Sequence, residues 1–262
     1  MSGRQLDLFT SNLPARKGAD GVEPRCTPRP ADLDDAALVA AIPAAGLADA
    51  VALAAEAARR RLAAAVPALE RLCRRFTGFG AGTVIPEQAS AIEALASIGN
   101  PAAAAAIARI IGTRAVEGPA VRIALSAAVR LGSRLPNDIV SPLLRHADRR
   151  VRADACRLVQ RSPETVAVLA DLLDDLDGDV GIAAACALGR LGRPEGKRML
   201  IDRLHTMPSA EIIDAIVPLA DEECVVLLAR TARRRPALAA SALQALEQIE
   251  HPLAAKLLAS FP

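Results

Sequence analysis

From Asp32 onward, apolar residues recur at helical spacing and are interrupted every dozen or so positions by Gly, Pro or a charged turn. Such a pattern predicts short helices joined by short turns. Aligning ASAIEALASIG, ALSAAVRLG, ADACRLVQRS, AAACALGRLG, IIDAIVPLA and ALQALEQIE places Leu95, Ala128, Leu158, Leu188, Ile216 and Leu246 in one column, at steps of 33, 30, 30, 28 and 30 residues. A period near 30 residues with two helices per unit predicts a helical solenoid, in which each unit buries its apolar faces only against its neighbours. The partner helices lie between, in PNDIVSPLLRHAD, SPETVAVLADLLDD, RPEGKRMLIDRLHT and DEECVVLLARTA. Several open on Pro, which the first turn of a helix tolerates.

Two stretches break the pattern. Residues 10 to 31 hold four prolines, two glycines and scattered charges without an apolar period, which predicts a flexible linker. The chain therefore divides into a leader, 1–31, and a solenoid, 32–262. Inside the solenoid, RRFTGFGAGTVIPEQ (Arg74 to Gln88) is too long and Gly-rich for an ordinary turn. Phe76 and Phe79 are expected to plug a groove between neighbouring helices, with a ligand-contacting loop as the alternative.

Composition sharpens the helical reading. Hydrophobic residues make up 52% of the 262 positions, yet aromatics are only 2% and Trp and Tyr are absent, so the core must be built from Ala, Leu, Val and Ile. Residues of this kind favour closely packed helices. Five cysteines, Cys26, Cys73, Cys156, Cys186 and Cys224, show no CxxC and no metal-ligand spacing. They read as reduced core residues of a cytoplasmic protein. No secretory signal is visible, and the Ala-rich stretch from Leu47 to Leu72 carries Asp49, Glu56, Arg59, Arg60 and Arg61, which lipid would not accept. A membrane partner is not expected.

The segments DRRVRADACRLVQ and DGDVGIAAACALGRLGRPEGKRMLIDRL resemble HEAT repeats of the short bacterial type related to the phycobilisome-lyase repeats. The resemblance covers about residues 45 to 262 and implies an all-α, right-handed solenoid of six or seven helix pairs. Asp148 and Arg152 match the family's turn Asp and helix Arg, and Arg122 repeats the Arg one unit earlier. Gly181 and Ile182 depart from that pattern. Two enzymatic relatives are implied as well. HEAT-like alkylpurine DNA glycosylases hold damaged nucleotides with aromatic side chains, above all Trp, which this chain lacks. For bilin-lyase chemistry nothing speaks beyond the repeat itself.

Catalytic groups are sparse. His146, His205 and His251 fall near helix ends, where imidazoles are solvated or cap carbonyls, and none is spaced as a metal pair. The run DLLDDLDGDV (Asp171 to Val180) superficially matches a calcium loop, but Leu173 and Ala184 stand where the first carboxylate and the bidentate Glu are needed. A solvated turn is expected there. The chain therefore reads as non-enzymatic, without cofactor or metal.

The formal charge of +2 is uninformative, whereas the distribution of arginines is not. Arg149, Arg150, Arg193 and Arg234 recur near inter-helix connections. Turns stack along a solenoid's edge, so these four are candidate contacts to duplex DNA through its phosphates. The competing reading is that they are simply solvated.

The most specific signal lies in the leader. Gln5-Leu6-Asp7-Leu8-Phe9 resembles, at all five positions, the bacterial sliding-clamp-binding motif Gln-Leu-(Ser or Asp)-Leu-Phe. By residue frequencies a full match arises by chance on the order of once in a few thousand chains. An isolated Leu-x-Leu-Phe has nothing local to pack against, so its apolar surface suits a partner's pocket. Burying Leu6, Leu8 and Phe9 contributes roughly 1.5 to 3 kcal/mol each. Ordering the segment opposes this by about 1 to 2 kcal/mol per residue, so the binding is expected to be weak and exchangeable. The resemblance implies that Gln5 enters a polar subsite, Leu8 and Phe9 fill the main pocket, Leu6 lies between and Asp7 faces outward. The alternative is that residues 5 to 9 cap the first repeat. The expected function is an adaptor brought by the DNA sliding clamp to replication or repair, with a second protein partner or the duplex on the solenoid. A general interaction scaffold is the alternative.

Overall fold

A computed structural model describes residues 29–79 and 82–261. Among these residues fifteen α-helices follow one another: α1 (Asp35–Ala41), α2 (Leu47–Arg59), α3 (Val66–Arg74), α4 (Pro86–Ile98), α5 (Pro101–Gly112), α6 (Pro119–Arg130), α7 (Asn137–Leu144) and α8 (Arg149–Leu158) in the first half. The second half holds α9 (Pro163–Asp171), α10 (Gly178–Arg190), α11 (Lys197–Thr206), α12 (Ala210–Ile216), α13 (Glu222–Arg234), α14 (Pro236–Gln248) and α15 (Pro252–Leu258). Among the described residues there is no strand. Seven successive pairs, α1 with α2 through α13 with α14, are followed by α15.

Even-numbered helices pack on one another in sequence, α2 on α4, α4 on α6 and so on to α14, and form one layer. The odd-numbered helices form the other, with α3 against α5, α7 against α9, and α13 between α11 and α15. Each helix also packs on its chain neighbour across the layers. This is the solenoid that the period predicts. It also sorts the connections, because every turn from an odd to an even helix lies on one edge and every turn from an even to an odd helix on the opposite edge.

Local sequence sets the helix ends. The side chains of Asn100, Asp148, Ser162, Asp177, Ser209 and Asp221 accept hydrogen bonds from backbone N–H groups in the first turns of α5, α8, α9, α10, α12 and α13. Proline stands in the first turn of α3, α4, α5, α6, α9, α14 and α15, where no backbone donor is needed. Gly99 closes α4 at φ 71°, a left-handed cap that a β-carbon would strain.

Leu95, Ala128, Leu158, Leu188, Ile216 and Leu246 are all fully buried, each near the C-terminal end of an even helix. The register read from the sequence is therefore the register of the core. Cys73, Cys156, Cys186 and Cys224 are free and buried as well, and burial pushes the first three thiols up to about 12.

Helix α10 sits between two groups of buried side chains. Ala183, Ala184, Ala187 and Leu188 face the group built from the N-terminal repeats, whereas Ala185 and Cys186 face the group built from α11 to α15. Small residues let backbones approach it from several sides. A β-carbon on Gly189 would lie 2.3 Å from the carbonyl oxygen of Ala215 in α12, and one on Gly181 would lie 3.0 Å from that of Leu173. The second contact brings the backbone of the 3-10 turn Leu172–Asp174 close against Gly181 and leaves little room for a side chain there.

The long connection after α3 divides its two rings. Phe76 is half-buried against the core, with the Arg75 guanidinium 4.7 Å from its ring centre. Phe79, expected to plug a groove too, is 64% exposed. The fully buried Gln88 ties this connection to the next repeat, donating through Nε2 to the carbonyls of Cys73, Phe76 and Ala115 at 3.2, 3.2 and 3.0 Å.

Candidate interaction surfaces

Many arginines on the turns are held by the neighbouring repeat. Arg152, on α8, meets Asp175 with both ends of its fork, at 2.8 and 2.9 Å. The same side chain donates to the carbonyls of His146 and Ala147 at 2.9 and 3.0 Å. Arg149 pairs with Asp177, the cap of α10. One unit earlier, Arg122 stands 3.9 Å from Asp148, the cap of α8. An Arg in one repeat thus reaches forward to the acidic turn of the next, and the series stops at Gly181. The run Asp171 to Val180 is accordingly more than the solvated turn expected from its sequence. Its Asp175 side chain is only 9% exposed, while Leu176 beside it projects into solvent.

Hydrogen bonds from Arg152 hold the Asp175 carboxyl below the usual carboxylate range, and those from Arg149 do the same for Asp177. A depressed folded-state value stabilises the fold fully above the unfolded value of about 3.9. That contribution is lost as pH falls through the lower folded value. Asp175→Asn is therefore expected to cost about 1 to 3 kcal/mol at pH 7 and to flatten the loss of stability below about pH 4. Urea unfolding at pH 7 and pH 3 checks both effects, and equal curves for the two proteins at pH 7 would remove Asp175 from the stabilising contacts.

Other inter-repeat pairs follow the same logic. Glu70 on α3, already paired with Arg74 of its own helix, binds Arg109 of α5 at 2.6 Å, Glu93 of α4 binds Arg130 of α6 at 2.7 Å, and Lys197 of α11 binds Asp221 at 2.6 Å. On the even-helix layer, Glu211 of α12 accepts from Arg157 of α8 at 2.9 and 3.0 Å, passing over the C-terminal end of α10, whose Arg190 stands 3.5 Å from the same carboxylate. Arg60 donates to the carbonyls of Pro30, Ala31 and Leu33, and Arg75 to those of Pro43 and Ala45.

The four arginines singled out as phosphate contacts do not share one ridge. Arg149 and Arg150 open α8 and Arg234 closes α13, so these three lie on the odd-to-even edge. Arg193 follows the even helix α10 and lies on the opposite edge, paired with Glu195 at 2.6 Å. The parity of the helices, legible in the repeat, carries this distinction. Arg149 is neutralised by Asp177, while Arg150 and Arg234 are exposed and make no ion pair among the described residues. Gln5, Leu6, Asp7, Leu8 and Phe9, and with them Cys26, lie outside the described residues.

Two of the histidines serve the helix ends. Nδ1 of His146 accepts from the Asp148 N–H at 3.0 Å, and Nδ1 of His251 from the Leu253 N–H at 3.2 Å. His205 instead lines a trough on the odd-to-even edge, between the turn after α11 and the turn after α13. Its lining includes Met207, Arg230, Arg234 and Arg235. Sequence reading named Arg234 alone of these four as a contact. Their spacing held the signal, since Met207 and Arg235 are 28 positions apart, one repeat, and so fall on adjacent turns. A further cleft of about 510 Å³ lies between α5, α6 and α7, lined by Ile111, Val121, Ile139 and Leu143, with Arg114, Asp138 and His146 at its rim.

No helix among the described residues is long and apolar enough to cross a membrane. Residues 137–220, from the start of α7 to just beyond α12, match the family model for HEAT repeats. Among curated proteins, none matches the chain. Residues 137–220 are thus similar to HEAT repeats, which suggests a protein-interaction scaffold, and the helices on either side continue the same two-layer stack.

Proposed function

We propose that the protein is a non-enzymatic adaptor, held by the bacterial DNA sliding clamp through Gln5–Phe9 and presenting its solenoid to a second partner during replication or repair. The single observation that carries this reading is the five-residue match of QLDLF to the clamp-binding motif. It is supported by the chemistry of the segment, in which two leucines and a phenylalanine surround one carboxylate, a composition suited to a partner's apolar pocket. The solenoid adds a scaffold built from repeats, whose turns and layer faces offer extended surface.

A peptide spanning Met1 to Asn12 and the full chain are both expected to bind the clamp, in the micromolar range. Leu8→Ala with Phe9→Ala should abolish association of the full chain, because those two side chains carry most of the apolar burial. Gln5→Ala should weaken it less, since it removes a polar contact alone. Fluorescence anisotropy and calorimetric titration measure these affinities. If neither the peptide nor the full chain binds, the reading fails. If the double change instead lowers thermal stability while clamp binding is absent in both proteins, residues 5 to 9 cap the first repeat.

A general interaction scaffold unconnected with replication is the second reading. It is favoured by the HEAT-repeat match, which carries no reference to the clamp.

A further inference from the structure

The trough between the turns after α11 and α13 differs in charge from three other clefts among the described residues. It consists of two adjoining parts, of about 100 and 660 Å³, which share Pro208, Arg234 and Arg235. Neither part is lined by a carboxylate. The clefts elsewhere include Glu117 and Asp138, or Asp49, or Asp154, Asp177 and Asp179 in their linings. Arg230, Arg234 and Arg235 are exposed and make no ion pair among the described residues, unlike Arg149, Arg152 and Arg157.

The backbone fixes these groups closely. Arg235 is the only residue between α13 and α14, two helices of 13 residues each, so Arg234 and Arg235 stand on a connection with little freedom. Their neighbour Arg233 is engaged elsewhere, over the ring of Phe261 at 5.0 Å and on the hydroxyl of Ser260 at 2.8 Å. The run Arg233-Arg234-Arg235 is thus divided between holding the C-terminal repeat and facing the trough.

The two parts offer different chemistry. The smaller is cationic through Arg230 and Arg234, which lie beside His205 and Thr231. The larger is mainly apolar on the far side of the arginines, with Met207, Pro208, Pro236 and Leu238, and Met207 is 65% exposed. Arginine forks match carboxylates, and an exposed Met beside Leu and Pro adapts to an apolar side chain. A phosphate backbone would satisfy the first part and leave the second without a counterpart.

We infer that this trough binds an acidic peptide segment of a partner protein, with a carboxylate on Arg230, Arg234 and Arg235 and an adjacent apolar side chain against Met207 and Leu238. The site uses none of the residues of the clamp-binding motif, so its test is independent of clamp binding.

An array of octapeptides tests it, each made of Gly and Ala with one or two Asp or Glu placed at varied distances from a Leu or Met. The full chain should retain peptides in which acid and apolar residue are adjacent or one apart, and should ignore the same peptides with Lys in place of the acid. Arg234→Gln with Arg235→Gln should weaken the best peptide at least tenfold, and raising salt should do likewise, at an unchanged melting temperature. Met207→Ser should erase the preference for Leu or Met and leave the preference for acid. An array that retains nothing, or equal retention by the double variant, would overturn the inference. Tighter binding of a 20-base-pair duplex, lost in the same variant, would assign the trough to nucleic acid instead.

Discussion

Replacement of Leu188 by Asp is expected to unfold the solenoid around α10. Leu188 is fully buried in the column shared with Leu95, Leu158 and Leu246, and no cation lies in that column to receive a carboxylate. An unpaired charge there would be taken out of water without compensation, at more than about 4 kcal/mol, a large fraction of the stability of an ordinary domain. Contacts in a solenoid run from neighbour to neighbour, so loss of one central pair separates the array into two weaker pieces. Circular dichroism and calorimetry should show lost helicity and a melting transition that is broadened or absent. Leu176→Asp is the control: Leu176 projects wholly into solvent and its replacement should leave melting unchanged. A Leu188→Asp protein that melts like its parent would refute the register.

Gly189→Val should be the second most damaging single change. Its β-carbon would fall 2.3 Å from the carbonyl oxygen of Ala215 and 2.9 Å from Cδ1 of Leu200. The side chain of Leu200 can turn aside, whereas the carbonyl belongs to the backbone of α12, so the two helices must separate. Overpacking of this kind costs typically 1 to 3 kcal/mol, and the branched side chain places the change at about the upper end. Gly189→Ala is the informative companion. On helix propensity alone it should stabilise by about 1 kcal/mol, so a lowered melting temperature in that variant isolates the steric contact. A raised melting temperature for Gly189→Ala would show that α12 yields freely.

The repeat and its register were legible because they depend on one-dimensional pattern. Leu158 and Leu188 are 30 residues apart, and stacking equal units makes that spacing a spatial relation. Caps are local as well, since Asp148 and Asp177 each bond within two residues of themselves, although the sequence of the run Asp171 to Val180 predicts only a solvated turn. What the sequence hid was partner choice across the stack. Arg149, Arg150 and Arg234 look alike in a list of basic turn residues and all three are exposed, yet one is paired with Asp177 and the other two make no ion pair among the described residues. Arg193 falls on the opposite edge because it follows an even helix, and Phe79 differs from Phe76 through a loop path that no period specifies. The trough joins residues of two turns one repeat apart, and of these the sequence singles out Arg234 alone as a contact. Gln5 to Phe9 is legible for the opposite reason, as a short linear motif that needs no fold to be recognised.

The pair between Arg157 and Glu211 joins α8 to α12 across an intervening repeat, and α10 beneath it is the wall shared by both halves of the core. A stack in which each unit touches only the next behaves as a spring, lengthening under tension through small rotations at every joint. A link from the first to the third unit of a series resists two of those rotations together. The two joints on either side of α10 therefore carry a shared restraint that a stack of nearest-neighbour contacts lacks. Bending at one of them is coupled to bending at the other.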